Sequence, residues 1–390
     1  MTGPYKSALK LILWSILLLN WQSAPGEMKS SVKLALVGDV MTGRGIDQIM
    51  PHPANPQLYE SYIKNAVGYV DLVEQKSGRI DKPVAYDYIW GDALVEMRRS
   101  LVIVNLETSI TTSDNFWPRK GINYRMNPQN MDCLNDAGID VATLANNHIL
   151  DWGYDGLEET LTALDRAGIK TAGAGRDMDE ARAPAVVRIP GGTRLLVFGL
   201  GHRSSGIPPA WSAGPRQAGV NHFEFSDKPS DLIETHNRGH SDIVVASVHW
   251  GGNWGYDIRE SHITFAHKLV DEANVDIVHG HSSHHAKGLE IYQGKLIIYG
   301  SGDFINDYEG IGGHQEYRSD LVLLYLVNLS SVTGYLQELR LIPFKSERLR
   351  LVHATRNDAV WLYNVFNREG ARFGSAFVLN QDNSLSMRMD

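Results

Sequence analysis

The chain has 390 residues, 43% hydrophobic and 21% charged, which is globular material for one large domain or two smaller ones. A formal net charge of −8 argues against nucleic acid or an acidic membrane surface as a partner. The single cysteine, Cys133, excludes an intrachain disulfide and any thiolate-rich metal site; within Met131–Ala137 it reads as a small core residue.

The first 26 residues form an export signal in outline. Lys6 and Lys10 precede the apolar run Leu11–Leu19, and small residues follow at Ser23, Ala24 and Gly26. The run is shorter than the roughly 20 residues of a comfortable span, so both a cleaved signal peptide and a tilted signal anchor fit. No cysteine follows it, which excludes lipidation there. The expectation is an exported, extracytoplasmic protein, either membrane-anchored or secreted.

In chain order, Ser31–Val37 reads as a buried strand that ends in Gly38, Asp39 and a glycine-bearing turn through Arg44 and Gly45. The glycine spacing fits neither a Walker loop nor a dinucleotide turn. Taken alone, Asp39 could simply cap the next helix. Residues 51–92 are polar and rich in proline and tyrosine and read as a helical excursion over a sheet edge. Leu101–Val104 is a second buried strand, with Glu107 at its exit. The segment from Phe116 to Arg125 carries Arg119, Lys120 and Arg125. It is either a solvated basic loop or one that folds over a site, where those cations, with Arg44, would meet an anionic substrate.

Asn127 opens a helix through Leu134 and Ala137, and Ile139–Ala145 is the next strand. It ends in the densest polar stretch of the chain, Asn146, Asn147, His148 and Asp151. Asp155–Ala167 is an amphipathic helix stopped by Gly168, and Thr171–Gly175 reads as a loop. Ala185–Ile189 and Arg194–Leu200 read as a hairpin. Ile243–Val248 exits in His249, and helix Ser261–Ala273 follows. Val275–Val278 exits in His279, His281, His284 and His285. A hairpin and the run Gly300–Phe304 come next, then strands Leu321–Val327 and Leu336–Ile342, and a helix Asp358–Phe366 capped by Asn357. No internal repeat or low-complexity linker appears.

Five strand exits thus carry Asp39, Glu107, Asn147 with His148, His249, and His281 with His284. Open α/β sheets place ligands at the C-terminal ends of their strands. Any one of these residues has a bland reading, a buried hydrogen-bonded histidine above all. Together they supply carboxylate, amide and imidazole donors for a hard or borderline divalent cation. Two such ions about 4 Å apart can clamp both oxygens of a phosphoryl displacement.

This pattern resembles the calcineurin-like metallophosphoesterases, and within them the CapA branch of capsule (poly-γ-glutamate) biosynthesis proteins. The runs that carry the resemblance are Val37–Met41, Val104–Thr108, Leu144–His148 with Asp151–Gly153, Val248–Gly251, Gly280–His284 and Ile298–Phe304. The resemblance implies an α/β fold, a four-layer αββα sandwich of two mixed sheets flanked by helices. It covers residues 32–345, after a leader over residues 1–26 and before a C-terminal extension over residues 346–390 that packs on the same domain. It implies one or two divalent ions (Mn, Fe, Zn or Mg). Asp39 and His284 would ligate the first and Asn147, His249 and His281 the second, with Glu107 bridging. His148 would be the general acid or transition-state stabiliser and Asp151 its orienter.

Two positions depart from the superfamily pattern, and both touch the first-metal half. Met41 stands where a histidine is usual, and two serines rather than one residue separate His281 from His284. The implied function is synthesis or export of a capsule polymer, with a metal-dependent hydrolase site acting on a phosphate ester or the anionic polymer and a membrane polymer synthase as partner. The alternatives are an inactive scaffold or binding component of a surface polymer assembly, and a general extracytoplasmic phosphodiesterase.

Overall fold

A computed structural model describes residues 31–189, 191–233, 239 and 242–389. The leader expected over residues 1–26 lies outside the described residues. Among the described residues, no helix is long and apolar enough to cross a membrane.

Alternation of side chains along the strands builds two large sheets and three large apolar layers, with two small strand pairs beside them, Ala174–Gly175 with Gly219–Val220 and Ser109–Ile110 with Arg125–Met126. In the first sheet, Ser31–Val40 pairs in parallel with Leu101–Leu106, which pairs with Ile139–Thr143 and then Lys170–Ala172. On its other side the long antiparallel hairpin Leu321–Ser330 and Leu336–Glu347 extends the sheet, and Leu385–Met387 and Phe377–Leu379 complete that edge. The second sheet runs His222–Phe223, Arg194–His202, Ile243–His249, Ile277–His281, Lys295–Ile298 and Leu289–Tyr292.

Leu34 and Leu36 point from the first sheet to the second, where they meet Val197, Val245, Ile277 and Ile298. Ala35 and Val37, one residue out of phase, face the opposite way, toward Trp90, Met97, Leu157 and Leu161. The outer face of the second sheet carries Phe198, Val244 and Val278 against Phe265 and Leu269 of the helix Glu260–Ala273. Two sheets packed face to face with helices outside both is the αββα sandwich expected. Burying apolar side chains on both faces of each sheet requires this layering.

Several local expectations are corrected. Only Val67–Ser77 of the segment 51–92 forms a helix longer than one turn. Asn127 caps a single 3-10 turn, Pro128–Asn130, before the short helix Asp132–Asp136. Thr171–Gly175 is not all loop: Lys170–Ala172 is an edge strand of the first sheet, which short, glycine-flanked residues do not announce. The last helix spans Arg356–Gly370, and its cap is Thr355, in a reciprocal capping box with Asp358, not Asn357. Cys133 is buried, as its setting predicts.

Candidate metal centre

The site lies where the C-terminal ends of parallel strands from both sheets come together. Register explains the juxtapositions. Asp39 and Asn105 are partners on adjacent strands of the first sheet, and His249 and His281 are partners on adjacent strands of the second. Asp39, His249 and His281 are all buried, and one ligand atom from each lies within 4.8 Å of the others. His249 Nδ1 and His281 Nδ1 are 2.8 Å apart, at 3.9 and 3.6 Å from Asp39 Oδ1.

The hydrogen-bond partners decide which lone pairs are free. Asn147 Oδ1, an acceptor only, is 2.9 Å from His249 Nε2, so that nitrogen carries the proton and His249 Nδ1 presents a lone pair, met by Asn105 Nδ2 only at 3.4 Å. His281 Nε2 is 2.8 Å from Ser247 Oγ, which leaves Nδ1 of that ring directed at the same spot. Asn105 Nδ2 donates to Asp39 Oδ1 (2.7 Å) and the Ser282 N–H to Asp39 Oδ2 (3.1 Å), fixing the carboxylate. A lone pair, a second imidazole nitrogen and a carboxylate oxygen thus converge, with room for at most one proton between the rings. Atoms bound to one cation at about 2.0–2.2 Å lie roughly 2.8–3.6 Å from one another; the separations here, 2.8, 3.6 and 3.9 Å, come within a few tenths of an ångström of that, so the donor set suits a divalent ion after a small adjustment. Outer partners that fix the ring tautomers are what such sites require.

The electrostatics agree. Burial and then the neighbouring Asp303 push the Asp39 carboxyl up to about 8. Burial, then Asp39 and Asp303, hold Glu107 well above the usual carboxylate range. Burial and then neighbouring imidazoles hold His249 and His281 well below the ordinary histidine value. Neutral imidazoles and carboxyls whose charge is unsupported are what a cation would satisfy.

His148 sits beside this cluster with Nε2 3.8 Å from Glu107 Oε1, which in turn is 3.7 Å from His249 Nε2. Its Nδ1 is 2.7 Å from Asp151 Oδ2. The same oxygen accepts the Tyr124 N–H at 2.6 Å, and the Tyr124 ring stacks on the imidazole at 3.9 Å. Lys120 Nζ lies 2.8 Å from Asp151 Oδ1 and 3.1 Å from His148 Nδ1. Asp151 accepts only, so the proton at Nδ1 is donated to it and Nε2 presents its lone pair. Burial and then Lys120 lower the His148 pKa to about 4, against the pull of Asp151.

The structure therefore brings Asp39, Glu107, Asn147, His148, Asp151, His249 and His281 together. Asn147 approaches the Nε2 side of His249 rather than the converging Nδ1 lone pairs. His284 stands apart from the triad, with Nδ1 2.9 Å from Asp303 Oδ1.

Of the four cations expected to face a substrate, only Lys120 enters the site. Arg119 is exposed. Arg125 is turned away, held by the Ser113 carbonyl and Asp114 and packed over the Trp152 ring. Arg44 is buried, with its guanidinium taken up by Asp307, Glu60 and Tyr69. Those acids, absent from any local pattern around Arg44, are the reason it is not offered to a substrate.

Sequence reasoning missed Asp303, Asn105, Ser247 and Tyr124. Asn105 and Asp303 fall within the runs that carry the family resemblance, which was a usable signal. Ser247 and Tyr124 had none. Asn146 is a tie: its Nδ2 donates to Asn105 Oδ1 and the Leu106 carbonyl, and its Oδ1 accepts from the His148 N–H.

The family model described as bacterial capsule synthesis protein PGA_cap matches residues 33–308. A probable polyglutamine synthesis accessory protein of Mycobacterium tuberculosis is 43% identical over 366 residues, covering 91% of this chain and 96% of that protein. The PGA biosynthesis protein CapA of Bacillus subtilis is 25% identical over 276 residues, covering 70% of this chain and 63% of that protein. A solved phosphatase from Mycoplasma pneumoniae aligns with 82% of this chain and 95% of its own, at 12% identity and a TM-score of 0.43.

Proposed function

The chain belongs to the bacterial capsule synthesis protein family PGA_cap, and on that premise we propose that it hydrolyses a phosphate ester during the making or export of an anionic, poly-γ-glutamate-type surface polymer. The observation that carries the hydrolytic reading is the convergence of Asp39, His249 and His281, one donor atom from each within 4.8 Å of the others. Asp39, His249 and His281 would hold a divalent cation, Mn, Fe, Zn or Mg, which would supply Lewis-acid polarisation of a phosphoryl oxygen. The capsule reading rests on family membership and on what the relatives are named for. The basic and then apolar pattern of residues 1–26 supports work outside the cytoplasm, and the reading takes a membrane polymer synthase as the partner.

The chain's own residues account for the rest. Asn105 and Ser282 hold the Asp39 carboxylate, and Ser247 and Asn147 set the two ring tautomers. His148 Nε2, aimed at Glu107, is the proton-carrying atom. The ring is neutral at neutral pH; Nε2 takes up a proton from solvent when an anionic phosphoryl group comes to rest beside it and passes it to the leaving oxygen as water attacks phosphorus and releases its own proton to solvent. Asp151, Tyr124 and Lys120 lock the ring so that this nitrogen and not the other faces the reaction.

The test is metal analysis of purified protein combined with release of nitrophenol from bis-nitrophenyl phosphate in Mn²⁺. We expect turnover that is lost in His148→Ala and Asn147→Ala, while His148→Ala keeps its metal. Absence of bound metal under all conditions overturns the hydrolase. One observation favours a second reading, a scaffold without turnover: Met41 occupies a buried position where a histidine ligand would stand. Bound metal with no turnover on any phosphodiester selects that reading.

A further inference from the structure

Phosphoryl oxygens gather charge during hydrolysis, and the cations expected to meet them are already engaged. Asp151 holds Lys120, and Asp307 and Glu60 hold Arg44. We propose that the Tyr308 hydroxyl, held in place by Tyr124, donates a hydrogen bond to a phosphoryl oxygen of the substrate. This rests on the phosphate-ester reading above and adds to it a phenol outside the expected site residues.

The two tyrosines come from different segments and meet beside the two histidines that flank the site. Tyr124 precedes the short strand Arg125–Met126, and its ring stacks on His148 with centroids 3.9 Å apart. Tyr308 follows the strand Asp303–Ile305, and its ring stands edge-on to His284 at 5.1 Å. The two hydroxyl oxygens are 2.6 Å apart. The backbone that carries Tyr308 is tied down: Asn306 Oδ1 accepts the Tyr308 N–H at 3.0 Å, and Asn306 Nδ2 donates to Asp303 Oδ2 at 2.8 Å. Asp307, one residue earlier, accepts the Gly45 N–H at 2.9 Å.

Counting protons assigns the donor. Two hydroxyls carry two protons, and the contact between them uses one. Among the described residues neither oxygen has another hydrogen-bond partner. Tyr124 is 2% exposed, and a buried O–H without an acceptor is costly, so Tyr124 donates to Tyr308. The second proton then belongs to Tyr308, the less buried of the two. Burial and then Tyr124 hold this hydroxyl well above the ordinary phenol range, and the charges of Asp303 and Glu107 add to the effect. The phenol therefore keeps its proton, and it lies near Glu107, the residue that His148 Nε2 faces. A neutral donor fixed in advance can meet developing negative charge without reorganisation.

The experiment uses the purified full chain loaded with Mn²⁺. It measures inorganic phosphate binding by calorimetry, the tyrosine ultraviolet difference spectrum on adding phosphate, and hydrolysis of bis-nitrophenyl phosphate. Tyr308→Phe should weaken phosphate binding by about tenfold or more and lower kcat by about 10², with bound Mn²⁺ unchanged. Tyr124→Phe leaves the donor in place and should bind phosphate within about threefold of wild type. Phosphate should red-shift the tyrosine spectrum of wild type and of Tyr124→Phe, and this signal carries the test if Tyr308→Phe folds poorly. A tyrosine pair that only ties two loops together would lower Tm in both variants and leave phosphate affinity unchanged, which overturns the proposal. So does an equal loss of phosphate affinity in Tyr124→Phe, an unshifted wild-type spectrum, or a wild type that binds no phosphate. Phosphate bound through Tyr308 by a protein that hydrolyses no ester upholds the proposal while the hydrolytic reading falls.

Discussion

Replacing Asp151 with asparagine changes one atom and should weaken His148 as a proton carrier while leaving its tautomer in place. The wild-type carboxylate accepts from the Tyr124 N–H and His148 Nδ1 on Oδ2, at 2.6 and 2.7 Å, and holds the Lys120 ammonium by charge, with Nζ 2.8 Å from Oδ1. An amide offers only one acceptor atom. The Tyr124 N–H is a fixed backbone donor, so the amide oxygen stays on it and the NH₂ group turns toward Lys120. The oxygen that stays also still accepts His148 Nδ1–H, so the ring tautomer is kept, while the ammonium loses its carboxylate partner. The nitrogen that faces Glu107 keeps its lone pair, but the imidazolium formed there has lost the anion that stabilises it. Weakening general acid–base catalysis in this way costs up to about 10²–10⁴ in rate, and weakening a hydrogen-bonded contact to a charged group costs about 1.5–3 kcal/mol of stability. Bis-nitrophenyl phosphate hydrolysis, urea unfolding and ¹⁵N shifts of the His148 ring read the three consequences. A rate within threefold of wild type, or an Nε2–H tautomer in the ¹⁵N shifts, would refute the reasoning.

Gly38→Ala places a Cβ 1.6 Å from the Gly302 carbonyl oxygen, so the two strands must separate; a loss of about 3 kcal/mol or more in urea unfolding is expected, and wild-type stability would show that the close approach is not there. His262 is stacked on Trp250, and burial and then Lys287 lower its pKa to about 4. The folded state therefore refuses a proton that the unfolded chain takes below about 6.5, and stability falls as pH drops from there toward 4. That group accounts for roughly 2–3 kcal/mol between pH 7 and 4.5, and His262→Phe should flatten the fall in urea midpoints by that amount, with an unchanged slope counting against it. Mn²⁺ at about 100 times its Kd should stabilise the fold by about 2.7 kcal/mol, and the shift in Tm should vanish in His281→Ala; an equal shift in that variant would place the ion elsewhere.

Strand exits were legible because an apolar run that stops in Asp, Asn or His is a local signal. The run ending at Val37 and the one ending at Val248 each announce their site residue within two positions. Side-chain direction was not legible where a distant partner sets it. Arg44 and Arg125 read as free cations, yet Arg44 is paired with Asp307, 263 residues away, and Arg125 with a carbonyl and a carboxylate across its own loop. Lys120, from the same loop, enters the site because Asp151 draws it in. No spacing rule separates these three. The same limit hid Asp303 as a neighbour of Asp39, since only the parallel pairing of their strands puts them side by side.

The donors of the triad come from different sheets, and this ties binding to folding. Asp39 leaves the first sheet, and His249 and His281 leave the second. The apolar layer between the sheets, Leu34, Leu36 and Ile103 against Val245 and Ile277, sets how closely the strand ends approach. A substitution that thickens this layer should therefore spread the donors without touching one of them. Asp39 and Asp303, by contrast, are fixed within one sheet by their own strand ladder. The triad should be sensitive to core packing, and the pair at Asp303 to strand register.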